Sequence, residues 1–134
     1  MRYLLDTNTV SDLIRNPQGR VFARIDQLGE EQVCTSIIVA AELRFGAAKK
    51  GSARLTAQLV AVLDRLEVLP WRAPADSTYG QLRSMLERTG RPMGANDLLI
   101  AAQAVTLGFT IVTDNEKEFA RIPKLARENW LRSQ

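Results

Sequence analysis

Short apolar runs alternate with longer stretches of helical periodicity along the whole chain, a pattern that drives it toward a parallel sheet covered by helices on both faces. Tyr3-Leu4-Leu5 reads as a first strand, with Asp6-Thr7-Asn8 as its exit turn. From Thr9, Val10, Leu13 and Ile14 recur at helical spacing, and Asn16-Pro17 closes that helix. Val21, Phe22, Ile25 and Leu28 make a second helix, stopped by Gly29. A second strand is expected over residues 33–35. Ser36 then caps a helix over Ile37–Lys50, whose basic end suits the helix dipole. Leu55, Leu59, Val62, Leu63 and Leu66 form the stripe of the next helix, and Glu67-Val68-Leu69-Pro70 a third strand ended by proline.

The second half continues the alternation. A helix is expected over residues 75–89, then the turn-rich loop Gly90-Arg91-Pro92-Met93-Gly94. Asn96 caps a very apolar helix over residues 98–107, ended by Gly108. Residues 109–113 read as the fourth strand and residues 116–121 as a short helix, before a tail with an isolated Trp130. No repeat, linker or low-complexity segment interrupts the 134 residues, so residues 1–134 are expected to form one α/β domain. A chain of this length buries roughly two-thirds of its unfolded surface, and 46% hydrophobic residues suffice for a core.

Several chemistries are excluded by what is missing. With no histidine, paired-histidine cleavage of RNA, serine–histidine triads and histidine-ligated zinc are ruled out. The single cysteine, Cys34, cannot build a thiolate zinc site or an internal disulfide, and its apolar surroundings mark it as a core thiol. Hydrolytic chemistry would fall to carboxylates, and carboxylates imply a hard cation such as Mg²⁺ or Mn²⁺. Met1-Arg2 leads at once to Asp6, too soon for a signal peptide, and no stretch approaches the roughly 18–20 apolar residues of a membrane span. A cytoplasmic protein is expected, with a net charge of +3 that permits a nucleic-acid partner.

The acids fall where open parallel sheets carry function, beyond the carboxyl ends of the strands. Asp6 follows the first strand and Asp114 the fourth, while Asp97 opens the helix that runs back to the start of the fourth strand. Topology alone brings these three to one edge. Glu42 lies in an otherwise apolar helix, where a buried carboxylate needs a partner, and a metal shared with Asp6 and Asp97 would be one. Taken singly, Asp6 and Asp114 equally suit turn residues, and Asp97 a first-turn acid.

A divalent cation would relieve the mutual repulsion of such a cluster and polarise a phosphoryl oxygen. Asp6 and Asp97 are the candidate ligands, with Glu42 a ligand or the residue that orients the attacking water. Asp114, Asn115 and Glu118 are candidates to complete the site. Thr7, Asn8 and Thr113 are candidates to hydrogen-bond its carboxylates, or are ordinary turn and cap groups. Basic residues cluster at Lys49-Lys50 with Arg54, at Arg83, Arg88 and Arg91, and at Lys117, Arg121, Lys124 and Arg127. Most suit solvated helix faces, while Arg91 and Lys117 are placed to steer phosphates. An aromatic content of 6% offers no platform for stacking bases.

These residues resemble a PIN domain, specifically the VapC-type toxin ribonucleases of bacterial toxin–antitoxin pairs, over nearly the whole chain. Leu5-Asp6-Thr7-Asn8 is similar to the family's opening strand and first acid, and Ser36 to Gly46 to its S-x-x-x-x-x-E-L-x-x-G helix. Gly94 to Ala102 is similar to its G-x-x-D-x-x-I-A-A segment, and Thr113 to Phe119 with Trp130 to its closing block. The resemblance implies a PIN-like three-layer sandwich and Mg²⁺- or Mn²⁺-dependent endoribonuclease activity. It also implies a homodimer and a VapB-like antitoxin that plugs the site. The loop from Gly90 to Gly94 resembles that of members cutting initiator tRNA in the anticodon stem-loop. The chain departs from the pattern at Asn115, where many members carry Asp, so the fourth acid is Asp114, Glu118 or absent. Two rival readings stand beside this one. A phosphatase with Asp6 as nucleophile would favour Asp where Asn8 stands, and a non-catalytic PIN-like module would grip RNA or a protein without cutting.

Overall fold

The computed structural model describes residues 2–132; Met1, Ser133 and Gln134 lie outside the described residues. The strands are β1 (Tyr3–Leu5), β2 (Val33–Ser36), β3 (Glu67–Leu69), β4 (Thr110–Val112) and β5 (Arg127–Glu128). The helices are α1 (Thr7–Arg15), α2 (Arg20–Leu28), α3 (Ile37–Lys50), α4 (Ala53–Arg65), α5 (Ala75–Arg88), α6 (Ala95–Leu107) and α7 (Glu116–Phe119). A short 3₁₀ turn, Glu30–Gln32, leads into β2.

All five strands are parallel, in the order β3-β2-β1-β4-β5. The chain steps outward from β1 to β3, then returns past β1 to lay down β4. Right-handed crossovers therefore place the helices before β3 on one face and those after it on the other. In keeping with this, α1 to α4 pack on one another and α5 packs on α6. The direction of travel reverses between β1 and β4, which opens a crevice at their carboxyl ends.

The central strands are apolar because both their faces are covered: Leu4, Leu5, Val33, Cys34, Ile111 and Val112 are fully buried. Each such leucine or valine contributes about 1.5–3 kcal/mol. Cys34 sits in this core, its thiol pushed up to about 11 mainly by burial. Among the described residues no helix is long and apolar enough to cross a membrane.

Three local expectations change. Asp6-Thr7-Asn8 is not a free exit turn. Asp6 is the N-cap of α1, accepting from the Thr9 amide at 3.0 Å, so Thr7 and Asn8 lie in the first helical turn. The apolar helix α6 starts at Ala95 with Gly94 rather than Asn96 as its cap, and Asp97 becomes its third residue. There the carboxylate faces the positive end of the helix dipole. The tail does not run past an isolated tryptophan: Arg127 and Glu128 pair with Ile111 and Val112 as β5, and Trp130 is buried against Tyr3 with ring centres 5.4 Å apart.

Candidate active site

Asp6 emerges from β1 at the crevice, where its backbone amide donates to the Val112 carbonyl of β4 at 3.0 Å. The side chain is only 3% exposed. That burial raises its pKa against the opposing effect of hydrogen bonds from Thr113 and Thr9. Thr113 itself is buried, and its Oγ1 also accepts from the Asn115 amide at 2.9 Å. One hydroxyl thus ties the turn after β4 to the acid after β1.

Glu42 reaches the same edge from α3. Its Oε1 accepts from Thr7 Oγ1 at 2.6 Å, a bond between the first turn of α1 and the middle of α3. The expectation that apolar packing surrounds Glu42 is not met. The residue is half-buried, because the outer face of α3 is open and leaves Ile37 47% and Phe45 68% exposed. Its partner is the Thr7 hydroxyl. Burial does not force one upon it.

Asp97 is where the acids meet. Its pKa is pushed up to about 8 by burial first, then by a hydrogen bond shared with Glu118, then by the charges of Glu118, Asp6 and Glu42. With these like charges around it, Asp97 holds its proton more firmly than a solvated carboxyl does. Glu118 Oε1 is buried with no hydrogen-bond donor among the described residues. Acids from the cap of α1, from α3 and from α7 therefore all act on Asp97 of α6.

Of the remaining candidates, Asp114 faces elsewhere. Its Oδ1 accepts from Asn129 Nδ2 and from Arg132 Nε, both at 2.9 Å, and those two donors hold its pKa below the usual carboxylate range. Its charge still reaches Asp6. Asn115 precedes α7 with an exposed side chain, and Asn8 is exposed on α1. Arg91 and Lys117 are both exposed, one on the loop before α6 and the other beside Glu118 on α7. Among the other cations, Arg83 is engaged by Glu87 and Tyr79 along α5, a helix-surface arrangement.

Sequence reasoning did not find Asn129. It is 1% exposed and its Nδ2 spans Asp114 and Glu116, a role carried by no local pattern before Trp130. It also did not find the bond from Arg121 Nη1 to the Pro92 carbonyl at 2.6 Å, which joins two loops distant in sequence.

The donor set suits a hard divalent cation. It is all oxygen, anionic, partly desolvated, and includes the unpartnered Glu118 Oε1. As placed, no group of three acids among the described residues surrounds one point closely enough to ligate an ion. A cation held there would relieve the mutual repulsion that helps to raise the Asp97 pKa.

A PIN domain family model matches residues 3–125. Ribonuclease VapC2 of Rickettsia felis is 39% identical over 132 residues, covering 97% of this chain and 98% of its own. The tRNA(fMet)-specific endonuclease VapC of Salmonella typhimurium is 37% identical over 131 residues, covering 97% and 98%. Among solved structures, VapBC2 of Rickettsia felis bound to a promoter DNA fragment superposes with a TM-score of 0.89 at 38% identity, over 97% of this chain and 99% of that one. VapBC-1 of nontypeable Haemophilus influenzae gives 0.83 at 34% identity, over 98% and 100%.

Proposed function

We propose, since this chain belongs to the PIN-domain family and within it to the VapC ribonucleases of toxin–antitoxin pairs, that it is an endoribonuclease dependent on Mg²⁺ or Mn²⁺. Its substrate class is tRNA, with initiator tRNA the first candidate, as in the Salmonella relative's name. The observation that carries the reading is the convergence of Asp6, Glu42 and Glu118 on Asp97 at the carboxyl edge of β1 and β4.

In this reading residues 1–134 form one domain, and Asp6, Asp97 and Glu42 are the residues that would draw together to hold the ion. The ion supplies polarisation of the scissile phosphate and a more acidic water. Thr7 keeps Glu42 turned toward the crevice, where it holds the ion or orients the attacking water. Thr113 orients Asp6. Glu118, in contact with Asp97, would complete the ion's oxygen donors. Asp114, held by Asn129 and Arg132, contributes negative potential from beside the cluster. Arg91 and Lys117 meet RNA phosphates at the rim.

The partners follow from the same reading. The structural neighbours are toxin–antitoxin complexes, and a VapB-like antitoxin that blocks the site is the expected regulator. Consistent with a protein ligand, a groove lined by Ser11, Arg15, Leu43, Lys50 and Leu55 runs from Glu42 between α1, α3 and α4. A homodimer acting in the cytoplasm completes the proposal.

The test is incubation of partner-free protein with bulk tRNA in Mg²⁺ or Mn²⁺, beside EDTA and Asp97→Asn reactions. Discrete cleavage lost in both controls is expected, and mapping the new ends names the substrate. Cleavage that persists in EDTA and in the variant would overturn the assignment. Divalent binding without cleavage of any RNA would instead support a binding module.

A further inference from the structure

Asp97 and Glu118 come from separate elements, and neither element alone sets the distance between them. Asp97 sits in the first turn of α6, which begins directly from the loop of residues 90–94. Glu118 sits on α7, which has only four residues, too few to hold a fixed orientation by its own hydrogen bonds. Arg121 lies between the two. Its backbone amide donates to the Glu118 carbonyl at 3.2 Å, and its Nη1 donates to the Pro92 carbonyl at 2.6 Å.

We propose that Arg121 is a positioning residue, a strut that ties the α7 turn carrying Glu118 to the loop delivering Asp97 and thereby sets the cluster's affinity for a divalent ion. The inference rests on the metal-site reading above. Arg121 acts through the loop and the turn and does not touch the reacting atoms. The bond is charge-assisted, and the long guanidinium spans the gap in one geometry. Phe119 is fully buried and Ile122 is 3% exposed, so α7 stays anchored in the core without the strut. What is lost is the lateral spacing of Glu118 from Asp97.

The experiment is calorimetric titration of Mn²⁺ into the full-length wild-type protein and its Arg121→Ala, Arg121→Lys and Asp97→Asn variants. Each is also melted without metal, and each is assayed for its Mn²⁺ requirement in RNA cleavage. Arg121→Ala is expected to melt within a few degrees of wild type yet bind Mn²⁺ about three- to tenfold more weakly. Its activity returns toward wild type at saturating Mn²⁺. Arg121→Lys, which keeps one donor on a flexible stem, is expected to fall between the two. Should the alanine variant fail to fold, Arg121→Gln keeps part of the stem while losing the reach to Pro92, and the same comparison applies. Unchanged Mn²⁺ affinity in Arg121→Ala, with RNA binding weakened instead, makes Arg121 an RNA contact and overturns the strut. Equal Mn²⁺ binding by wild type and Asp97→Asn overturns the site reading itself, so the two failures separate in one titration.

Discussion

The residue that most rewards measurement is Asp97, because its protonation links the site to stability. Its folded pKa, near 8, stands well above the ordinary carboxylate value of 3.8, chiefly through burial and Glu118. A group raised in the folded state contributes stability below its unfolded pKa, and that contribution is lost as pH rises through the folded pKa. The window therefore runs from about pH 4 to about pH 8. Without divalent ions, the wild type is expected to lose melting temperature across this range relative to Asp97→Asn, whose amide cannot ionise. Melting curves of both proteins at intervals from pH 5 to pH 8 check it. A constant difference between them would show that Asp97 ionises as a solvated acid does.

At the scale of elements, Asp6 does two jobs that substitution can separate. It caps α1 through the Thr9 amide, and it is the acid nearest the strand reversal. Asn caps helices as well as Asp does, whereas Ala does not. Asp6→Asn is expected to keep the fold and melt at or above the wild-type temperature without metal, because it removes a desolvated charge, yet to lose cleavage. Asp6→Ala is expected to be about 1 kcal/mol less stable than Asp6→Asn, roughly 3–5 °C in melting temperature. Comparing the two variants cancels the effect of charge and isolates the cap. Equal melting temperatures would mean that the bond to Thr9 contributes little to α1.

Across the whole molecule, the acids join parts of the chain that have little else in common: the cap of α1, the middle of α3, the start of α6 and α7. An ion held by them would cross-link both helical layers at the carboxyl edge of the sheet, so binding would stabilise the global fold. At a free concentration one hundred times the dissociation constant, linkage predicts about 2.7 kcal/mol of stabilisation. For a domain of this size that is roughly 10 °C. Differential scanning calorimetry with graded Mn²⁺ is expected to show this rise in wild type and its loss in Asp97→Asn. A rise of equal size in both would place the ion elsewhere.

Much of this architecture was legible from pattern alone. Residues 37–50 were expected as a helix capped by Ser36, and α3 has those bounds with Ser36 Oγ accepting from the Ile38 amide. The apolar runs of β1, β2 and β4 announced a doubly covered parallel sheet, because only burial on both faces tolerates continuous apolar strands. Asp6 and Asp97 could be placed at one edge by counting strands and helices, since the direction of each element determines where its ends lie. Other features had no local signal. β5 has two residues, neither apolar, and exists only because β4 offers it an edge. The exposure of Glu42 depended on whether another element covered the outer face of α3, which periodicity does not report. That Asp114 accepts from Asn129 and Arg132 also had no local signal, because those donors arrive from the far end of the chain. Sequence by itself determined the order of elements and the edge at which the acids gather, because these follow from local periodicity and chain direction. Tertiary structure alone decided which carboxylates face one another, because that depends on side-chain partners brought together across the fold.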